Sequence, residues 1–444
     1  MVILGLGTNL GDRLANLRKA LQAIKHLHGI KVEQISPIYL SDALLPENAP
    51  PEWDIPYLNI AMRCHVSLQP DELLKELKNI EWSIGRKPEI RHWGPRIIDI
   101  DILAWDDRII KTDALTVPHE NLQNRPFALW PLADVAPFWQ FPLPGSNHGK
   151  TAAEIGEQWG PRESGEAPLH TRQLFQRIDT PELVGVINIT PDSFSDGGYF
   201  LDVEKAYQQI SHLMNSGATI IDIGAESTAP NAKPLSSQEE WTRLSPLLTI
   251  INEKKRTFLL PPKISVDTRH ADVAEKALAM SVDWINDVTG LNDPTMQKLI
   301  AQSKADCVVM HHMSIPASRQ YILPRIENSV DKVLDWAKQK IEALVTSDIA
   351  KERIIIDPGI GFGKVPEQSF MLIKHINRFA ELGCRLLVGH SRKSFLTWFT
   401  SRPPAERDIE TLALTLYLAK QPVDYLRVHN VEMNARALRV ASAL

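Results

Sequence analysis

Two aspartates two residues apart, Asp99 and Asp101, stand in the run Arg96-Ile97-Ile98-Asp99-Ile100-Asp101. On a strand, successive side chains alternate between faces, so both carboxylates project to one side while Ile98, Ile100 and Ile102 project to the other and build a core. Neighbouring carboxylates repel unless a cation lies between them, and a magnesium ion on nucleotide phosphates suits the pair. Arg86, Arg91, His92 and Arg96 precede it and supply positive charge for a triphosphate. A solvated charged face is the alternative, but two acids inside an apolar strand are costly without a ligand.

A second set of polar residues recurs at the ends of apolar runs in the C-terminal half. Asn188, Asp222, Asp267, Asn286 and Asp357 end successive candidate strands; Ser391 and Lys393 follow another, and Arg427 and His429 end the last. Asp222, Asp267, Asp357 and Asn286 offer acceptors to a donor-rich heterocycle, and Lys393 offers a donor or a charge beside it. Asn188, Arg427 and His429 can hold a magnesium pyrophosphate, with one metal ligand and two anion donors. The Gly-rich run DPGIGFGK brings flexible backbone next to the ring. Polar residues that merely terminate strands are the bland reading for any one of these, though not for the whole series. The adjacent His311 and His312 follow Cys307 by four residues, but that cysteine sits in an apolar run and reads as a small core residue, so metal ligation there is a weak reading.

The elements that must carry these residues follow from periodicity. The 444 residues are 43% hydrophobic and 23% charged, enough apolar material for two or three domains. A net charge of −5 excludes a basic nucleic-acid binder. Three scattered cysteines, Cys64, Cys307 and Cys384, argue against a disulfide framework and suit a reducing compartment. The start MVILGLGTNL reads as a strand entering a turn rather than a leader, and no apolar run reaches membrane-spanning length. The expectation is a cytoplasmic protein without a membrane or nucleic-acid partner, or the mature form of an organelle enzyme.

The first half reads β-α-β-β-α-β: strands at Val2–Leu6, Lys31–Ser36, Tyr57–Ser67 and Ile97–Leu103, helices at Asp12–His26 and Pro70–Ile84, and a long Pro-rich loop at Ser41–Pro56. The second half alternates strand and helix eight times from Leu183, and several strands are apolar throughout, as they are when both faces are buried. The expected fold is an α+β ferredoxin-like domain followed by an α/β TIM (β/α)8 barrel, with a doubly wound open sheet as the alternative for the second half. Such a barrel gathers residues at its C-terminal strand ends into one mouth. The predicted division is 1–160, a linker over 161–180 where Pro, Gly and charge dominate, and 181–444.

The segments GTNLGDRLANL, GRKPEIRHWGPRIIDIDIL and LTVPHENLQNRPFALWPL resemble the 6-hydroxymethyl-7,8-dihydropterin pyrophosphokinases. The resemblance implies ATP and 6-hydroxymethyl-7,8-dihydropterin as substrates and two Mg2+ ions on Asp99 and Asp101. It implies Arg86 and Arg96 as catalytic cations, with ATP or loop contacts from Glu81, Trp93, Thr116, His119 and Arg125. The pterin pocket would be Tyr57, Asn59, Trp93 and Phe127. The motifs VINITPDSFSDGG, IDIGAESTAP, ISVDT, WINDV, IIIDPGIGFGK, GHSRKSF and LRVHN resemble dihydropteroate synthase. That likeness implies a pterin site at Asp267, Asn286, Asp357, the catalytic Lys393 and Asp222. It puts p-aminobenzoate, or a sulfonamide, near Thr228, Phe362 and Ser391. Pyrophosphate with one Mg2+ would lie at Asn188, Arg427 and His429, and the barrel would form a homodimer through its late helices. Pro88 and Ala114 stand where some relatives have loop arginines, Ala229 where most have Arg, and Asn430 where Asp is common.

Two rivals are weighed. A pterin-dependent methyltransferase would need a corrinoid partner and leaves the N-terminal motifs unexplained. A catalytically dead folate-binding protein predicts lost magnesium ligands, yet Asp99, Asp101 and Asn188 are intact.

Overall fold

A computed structural model describes residues 1–86, 94–189, 199–226, 234–315, 320–326 and 328–443. Arg91, His92, Trp93, Pro88, Thr228 and Ala229 lie outside the described residues. Residues 1–179 and 180–442 form two compact units.

In the first unit the strands are β1 (Val2–Thr8), β2 (Ile30–Ile35), β3 (Tyr39–Ser41), β4 (Tyr57–Val66), β5 (Asp99–Trp105), the short β6 (Ile110–Lys111) and β7 (Thr116–Val117), and β8 (Arg172–Gln173). The helices are α1 (Arg13–His26), α2 (Pro70–Ile84), α3 (Pro126–Val135) and α4 (Ala152–Gly156). The main sheet runs β5-β1-β4-β3-β8, with β2 beside the second half of β4. Its β5-β1-β4-β2 part is antiparallel and has the ferredoxin-like order.

Asp12 starts α1 by accepting from Ala15 N at 3.0 Å, and Leu17, Leu21 and Ile24 bury its inner stripe. Pro70 opens α2, Glu72 accepts from Gln69 N at 3.0 Å, and Leu73, Leu77 and Ile80 face inward. The other sheet face buries Ile3, Ala61 and Leu103 against Leu129, Leu132 and Val135 of α3.

The stretch predicted as a linker behaves differently. Its strand β8 pairs antiparallel with β3, Tyr39 opposite Gln173 and Leu40 opposite Arg172. Arg162 forms an ion pair with Asp134, which also accepts from the buried Tyr39 hydroxyl at 2.7 Å. Arg177 donates to Ile35 O at 2.7 Å. Residues 161–179 are thus part of the first unit, held by backbone pairing that leaves no apolar period in sequence. A fragment ending at residue 160 would therefore leave Asp134 buried without its cation, a loss of about 3–5 kcal/mol. Denaturant titration should show fragment 1–179 unfolding well above fragment 1–160; equal midpoints would contradict this role.

The second unit is a closed parallel barrel of β9 (Glu182–Asn188), β10 (Ala218–Gly224), β11 (Lys263–Asp267), β12 (Trp284–Asp287), β13 (Asp306–Met310), β14 (Ile354–Asp357), β15 (Arg385–Val388) and β16 (Tyr425–Val428). Around it run α5 (Tyr199–Asn215), α6 (Ser237–Lys254), α7 (Ala271–Ala279), α8 (Pro294–Gln302), α9 (Ser329–Thr346), α10 (Pro366–Lys374), α11 (Asp408–Leu418) and α12 (Val431–Ala441). The interior is plugged by Val184, Ile220, Trp284, Val308, Ile355, Leu387 and Tyr425, with Trp284 and Tyr425 edge to face at 4.7 Å. A filled barrel is a platform, so polar side chains beyond the plug gather at its mouth. Among the described residues no helix is long and apolar enough to cross a membrane.

Candidate active sites

In the first unit, β5 alternates as its sequence predicts: Ile100 and Ile102 are buried, and Asp99 and Asp101 share the opposite face. Asp99 forms ion pairs with Arg96 and, at 2.6 Å, with Arg86. Burial works to raise its pKa, but Arg96 and Arg86 outweigh that and hold the carboxyl below its ordinary value. Asp101 goes the other way: burial, and then the charge of Asp99, push it above the ordinary range, and His119 at 4.0 Å opposes this only in part. Of the two acids, Asp101 is the one short of a cation.

Asp99, Asp101, Arg96, His119, Arg125, Tyr57, Asn59 and Phe127 line one cavity of about 380 Å3, together with Ser41, Asp42 and Leu44. Gly7 makes room for two of them: a Cβ there would stand 3.3 Å from Asn59 Oδ1 and 3.6 Å from Tyr57 Cδ1. Three described residues implied by the resemblance do not line this cavity: Arg86, which reaches Asp99 from behind, Glu81 and Thr116. Glu81 is fully buried, and its oxygens take Arg86 at 2.5 Å, Lys78 at 2.8 Å and Ile100 N at 2.7 Å. It holds Arg86, which reaches Asp99 on its other side, and does not line the cavity. Thr116 is exposed on β7 and does not line the cavity.

In the barrel, Arg427 on β16 reaches across the mouth to Asp222 Oδ2 at 2.6 Å and Asp267 Oδ2 at 3.3 Å. Asp222 also accepts from Asn286 at 3.1 Å and from Ser265 at 2.6 Å. Arg427, expected on the pyrophosphate, therefore sits among the acids expected to bind the ring. Asp267 is pushed above the ordinary carboxylate range by burial and then by the charge of Asp222, with Arg427 opposing. Asp357 is raised by burial against the pull of Lys393, and accepts from Gly359 N at 2.7 Å. Lys393 Nζ donates to Ile360 O at 2.8 Å and lies 4.8 Å above the Phe362 ring; burial brings its pKa down to about 8.

Gly389 lies beside this pair, its Cβ position 3.5 Å from Lys393 Nζ and 3.8 Å from Asp357 Oδ2, ordinary contact distances. Ser391, expected near p-aminobenzoate, has its hydroxyl 3.0 Å from His429 Nδ1. Burial, and then Arg427, lower His429 to about 4, so its ring is neutral at pH 7. Asn188 is exposed at the end of β9. Asn430 donates to Asp408, which also holds Arg392 at 2.7 and 2.8 Å, so the change from the usual Asp is absorbed by a local network.

Sequence reasoning missed Lys364. This buried lysine donates to His311 Nδ1 at 2.8 Å, Gly359 O at 2.9 Å and Phe362 O at 3.0 Å, and burial lowers it to about 7. It knots the loop that carries Ile360 and Phe362, and it occupies His311 in a structural bond. The GFGK motif contained the residue, but nothing in the motif says that the side chain turns inward.

Fold and sites together define an enzyme with two separate centres, one built for phosphate charge and one for a donor-rich ring. Residues 3–137 match the 7,8-dihydro-6-hydroxymethylpterin-pyrophosphokinase family, and residues 184–429 match the pterin binding enzymes. The folate synthesis bifunctional protein of Chlamydia muridarum is 36% identical over 99% of this chain and 97% of its own length. That of Arabidopsis thaliana is 33% identical over 100% and 96%. Dihydropteroate synthase from Anaplasma phagocytophilum, solved with 6-hydroxymethylpterin-monophosphate, is 36% identical at a TM-score of 0.54, covering 59% of this chain and 98% of that one. The Xanthomonas albilineans synthase, solved with 4-aminobenzoic acid, is 35% identical at 0.54, covering 60% and 93%. The chain belongs to the family of bifunctional 6-hydroxymethyl-7,8-dihydropterin pyrophosphokinase/dihydropteroate synthases.

Proposed function

We propose that the N-terminal cavity and the barrel mouth carry out this family's two consecutive reactions with the residues described above. The first unit transfers pyrophosphate from ATP to 6-hydroxymethyl-7,8-dihydropterin: the hydroxymethyl oxygen attacks the β-phosphorus in line and AMP leaves. The barrel condenses the diphosphate with p-aminobenzoate to 7,8-dihydropteroate and releases pyrophosphate.

Two acids on one strand face, one of them raised by burial and then by the charge of the other, fit magnesium. Asp99 and Asp101 would hold two Mg2+ ions, and Asn188 one more beside the barrel's pyrophosphate; the metal supplies charge to offset the phosphates. Arg86 and Arg96 now neutralise Asp99 and can turn to a triphosphate. Tyr57 and Phe127 would flank the pterin, and Asn59 would read its amide edge. In the barrel, Asp267, Asn286 and Asp357 accept from the second pterin ring. As the C–O bond to pyrophosphate breaks, positive charge grows on that ring, and the acids Asp222, Asp267 and Asp357 stabilise it. His429 and Arg427 would donate to the departing pyrophosphate.

The acid, amide and lysine cluster closed by Arg427 across the barrel mouth carries this reading. Incubating the full chain with ATP, Mg2+, hydroxymethyl dihydropterin and p-aminobenzoate should yield AMP and dihydropteroate in equal amounts. AMP without dihydropteroate, with both substrates saturating, would remove the barrel assignment.

The reading places the enzyme in the cytoplasm or an organelle matrix, in keeping with its free cysteines. It also makes the barrel a homodimer. Trp398, Phe399, Ile409 and Tyr417 are exposed on the late-helix side, and Phe370 packs 5.7 Å from Trp398. Sedimentation at micromolar concentration should give twice the chain mass, and Trp398→Glu should return it to a monomer.

A further inference from the structure

The segment after α4 has the weakest side-chain pattern in the sequence, yet it is bonded directly to a wall of the N-terminal cavity. Strand β8 extends the sheet from β3, and Leu174 N donates to Ile38 O at 2.8 Å. Strand β3 ends at Ser41, whose hydroxyl accepts from Asn59 Nδ2 at 3.0 Å. The next residue, Asp42, is tied twice to the same segment. Its N–H donates to Leu169 O at 2.8 Å, and its carboxylate accepts from His170 Nδ1 at 2.5 Å. Ser41, Asp42 and Leu44 line the cavity that Tyr57, Asn59 and Phe127 also line.

Leu169 and His170 have φ of 57° and 45°. Two successive non-glycine residues in the left-handed region are uncommon, and such backbone persists where surrounding contacts over-determine it. Here those contacts include both bonds to Asp42. Upstream, Arg162 anchors the same segment to Asp134 and to the Tyr39 hydroxyl, the latter at 3.0 Å. The segment is therefore gripped on either side of its strained turn, and the turn grips the cavity wall.

We propose that Asp42 is a specificity-determining residue of the pterin pocket in the first unit, and that His170 is its positioning residue. The inference rests on reading that cavity as the pyrophosphokinase site. A pterin presents adjacent N–H donors along its pyrimidine edge, and a carboxylate is the side chain that accepts from two donors at once. Asp42 is part-exposed, and a free side chain there would sample several rotamers in water. His170 holds one oxygen and Leu169 O holds the main chain, so less freedom remains to be lost when the pterin binds. Pterin affinity in the first unit thus depends on the stretch that runs, twelve residues after His170, into the first barrel strand.

The test uses the full-length chain and follows four quantities: KM for hydroxymethyl dihydropterin, KM for ATP, kcat for AMP formation, and dihydropteroate formation from supplied pterin diphosphate. His170→Ala and Asp42→Asn should each raise the pterin KM about fivefold, the upper end for one solvent-exposed pair. KM for ATP and kcat should stay within twofold, and the barrel reaction should not change. His170→Gln keeps a donor and should recover most of the affinity. His170→Gly tolerates the left-handed backbone, so it separates loss of the ring from strain and should match His170→Ala. The double variant should be no worse than either single one, because the two residues act as one unit. An unchanged pterin KM in Asp42→Asn, additive effects in the double variant, or a parallel fall in kcat would overturn the proposal. A wild-type chain that forms no AMP would instead overturn the activity assigned to the unit.

Discussion

Asp101→Asn is expected to lower AMP formation by roughly a thousandfold or more, on the order of 4 kcal/mol of lost transition-state stabilisation, with the barrel reaction intact. The substitution keeps shape and removes only charge. In the empty unit that charge is a liability, since burial and the neighbouring Asp99 both disfavour it. Asp101→Asn should therefore fold at least as stably as the wild type while losing its hold on magnesium. Asp99→Ala makes the contrast. It too should abolish AMP formation, but it also strips Arg86 and Arg96 of their shared carboxylate and should lower stability. Kinetics at saturating magnesium with paired melting curves separate the two. Near-normal pyrophosphokinase activity in Asp101→Asn would remove the two-metal assignment.

The second large effect is expected at Asp267, where catalysis and stability should move in opposite directions. Asp267→Asn puts an amide donor where a carboxylate accepts from paired ring N–H groups, and an unmet buried donor costs on the order of 3 kcal/mol, about a hundredfold in dihydropteroate formation. The empty barrel should gain. Burial, then Asp222, raise the Asp267 pKa above its unfolded value. Between those two values the native state holds a proton that the unfolded chain has lost, so wild-type stability falls as pH rises through the window. Asn has no such dependence. The variant should match the wild type near pH 4 and exceed it increasingly toward pH 8. The carboxyl keeps 18% exposure and the company of Arg427, so the gain is about 1–2 kcal/mol, a few degrees in the barrel's melting temperature. A variant that melts lower than wild type at pH 8 would mean that Arg427 stabilises the charged carboxylate more than burial opposes it.

Much of this architecture was legible in one dimension. The eight apolar runs from Leu183 to Val428 are the eight barrel strands, and the alternation of isoleucines and acids at Ile98–Ile102 sets the faces of β5. Period and polarity are local properties, and where burial follows them the fold follows too. The same logic gathered Asp222, Asp267, Asn286, Asp357, Lys393 and Arg427 at one mouth, because a closed parallel barrel leaves strand ends no other place.

What stayed hidden depends on contacts between residues far apart in sequence. Glu81 carried an ATP role by resemblance, but a residue's facing is decided by what packs around it, and here Lys78, Arg86 and the main chain of β5 enclose it. Lys364 turns inward because four acceptors wait there, two of them main-chain oxygens of its own loop. The run 161–179 has no period because two-residue β8 and the Arg162 ion pair hold it without needing one. The sequence by itself determined the two folds, the acid pair on β5 and the polar rim of the barrel, since each follows from local pattern and chain topology. Only the tertiary structure decided which acids are paired and which are raised, that Arg427 spans the mouth to Asp222 and Asp267, and that the junction closes back on Asp42. Those outcomes are set by distances of a few ångströms between groups as far as 205 residues apart, where desolvation and Coulomb energy are strongest and local sequence carries no information.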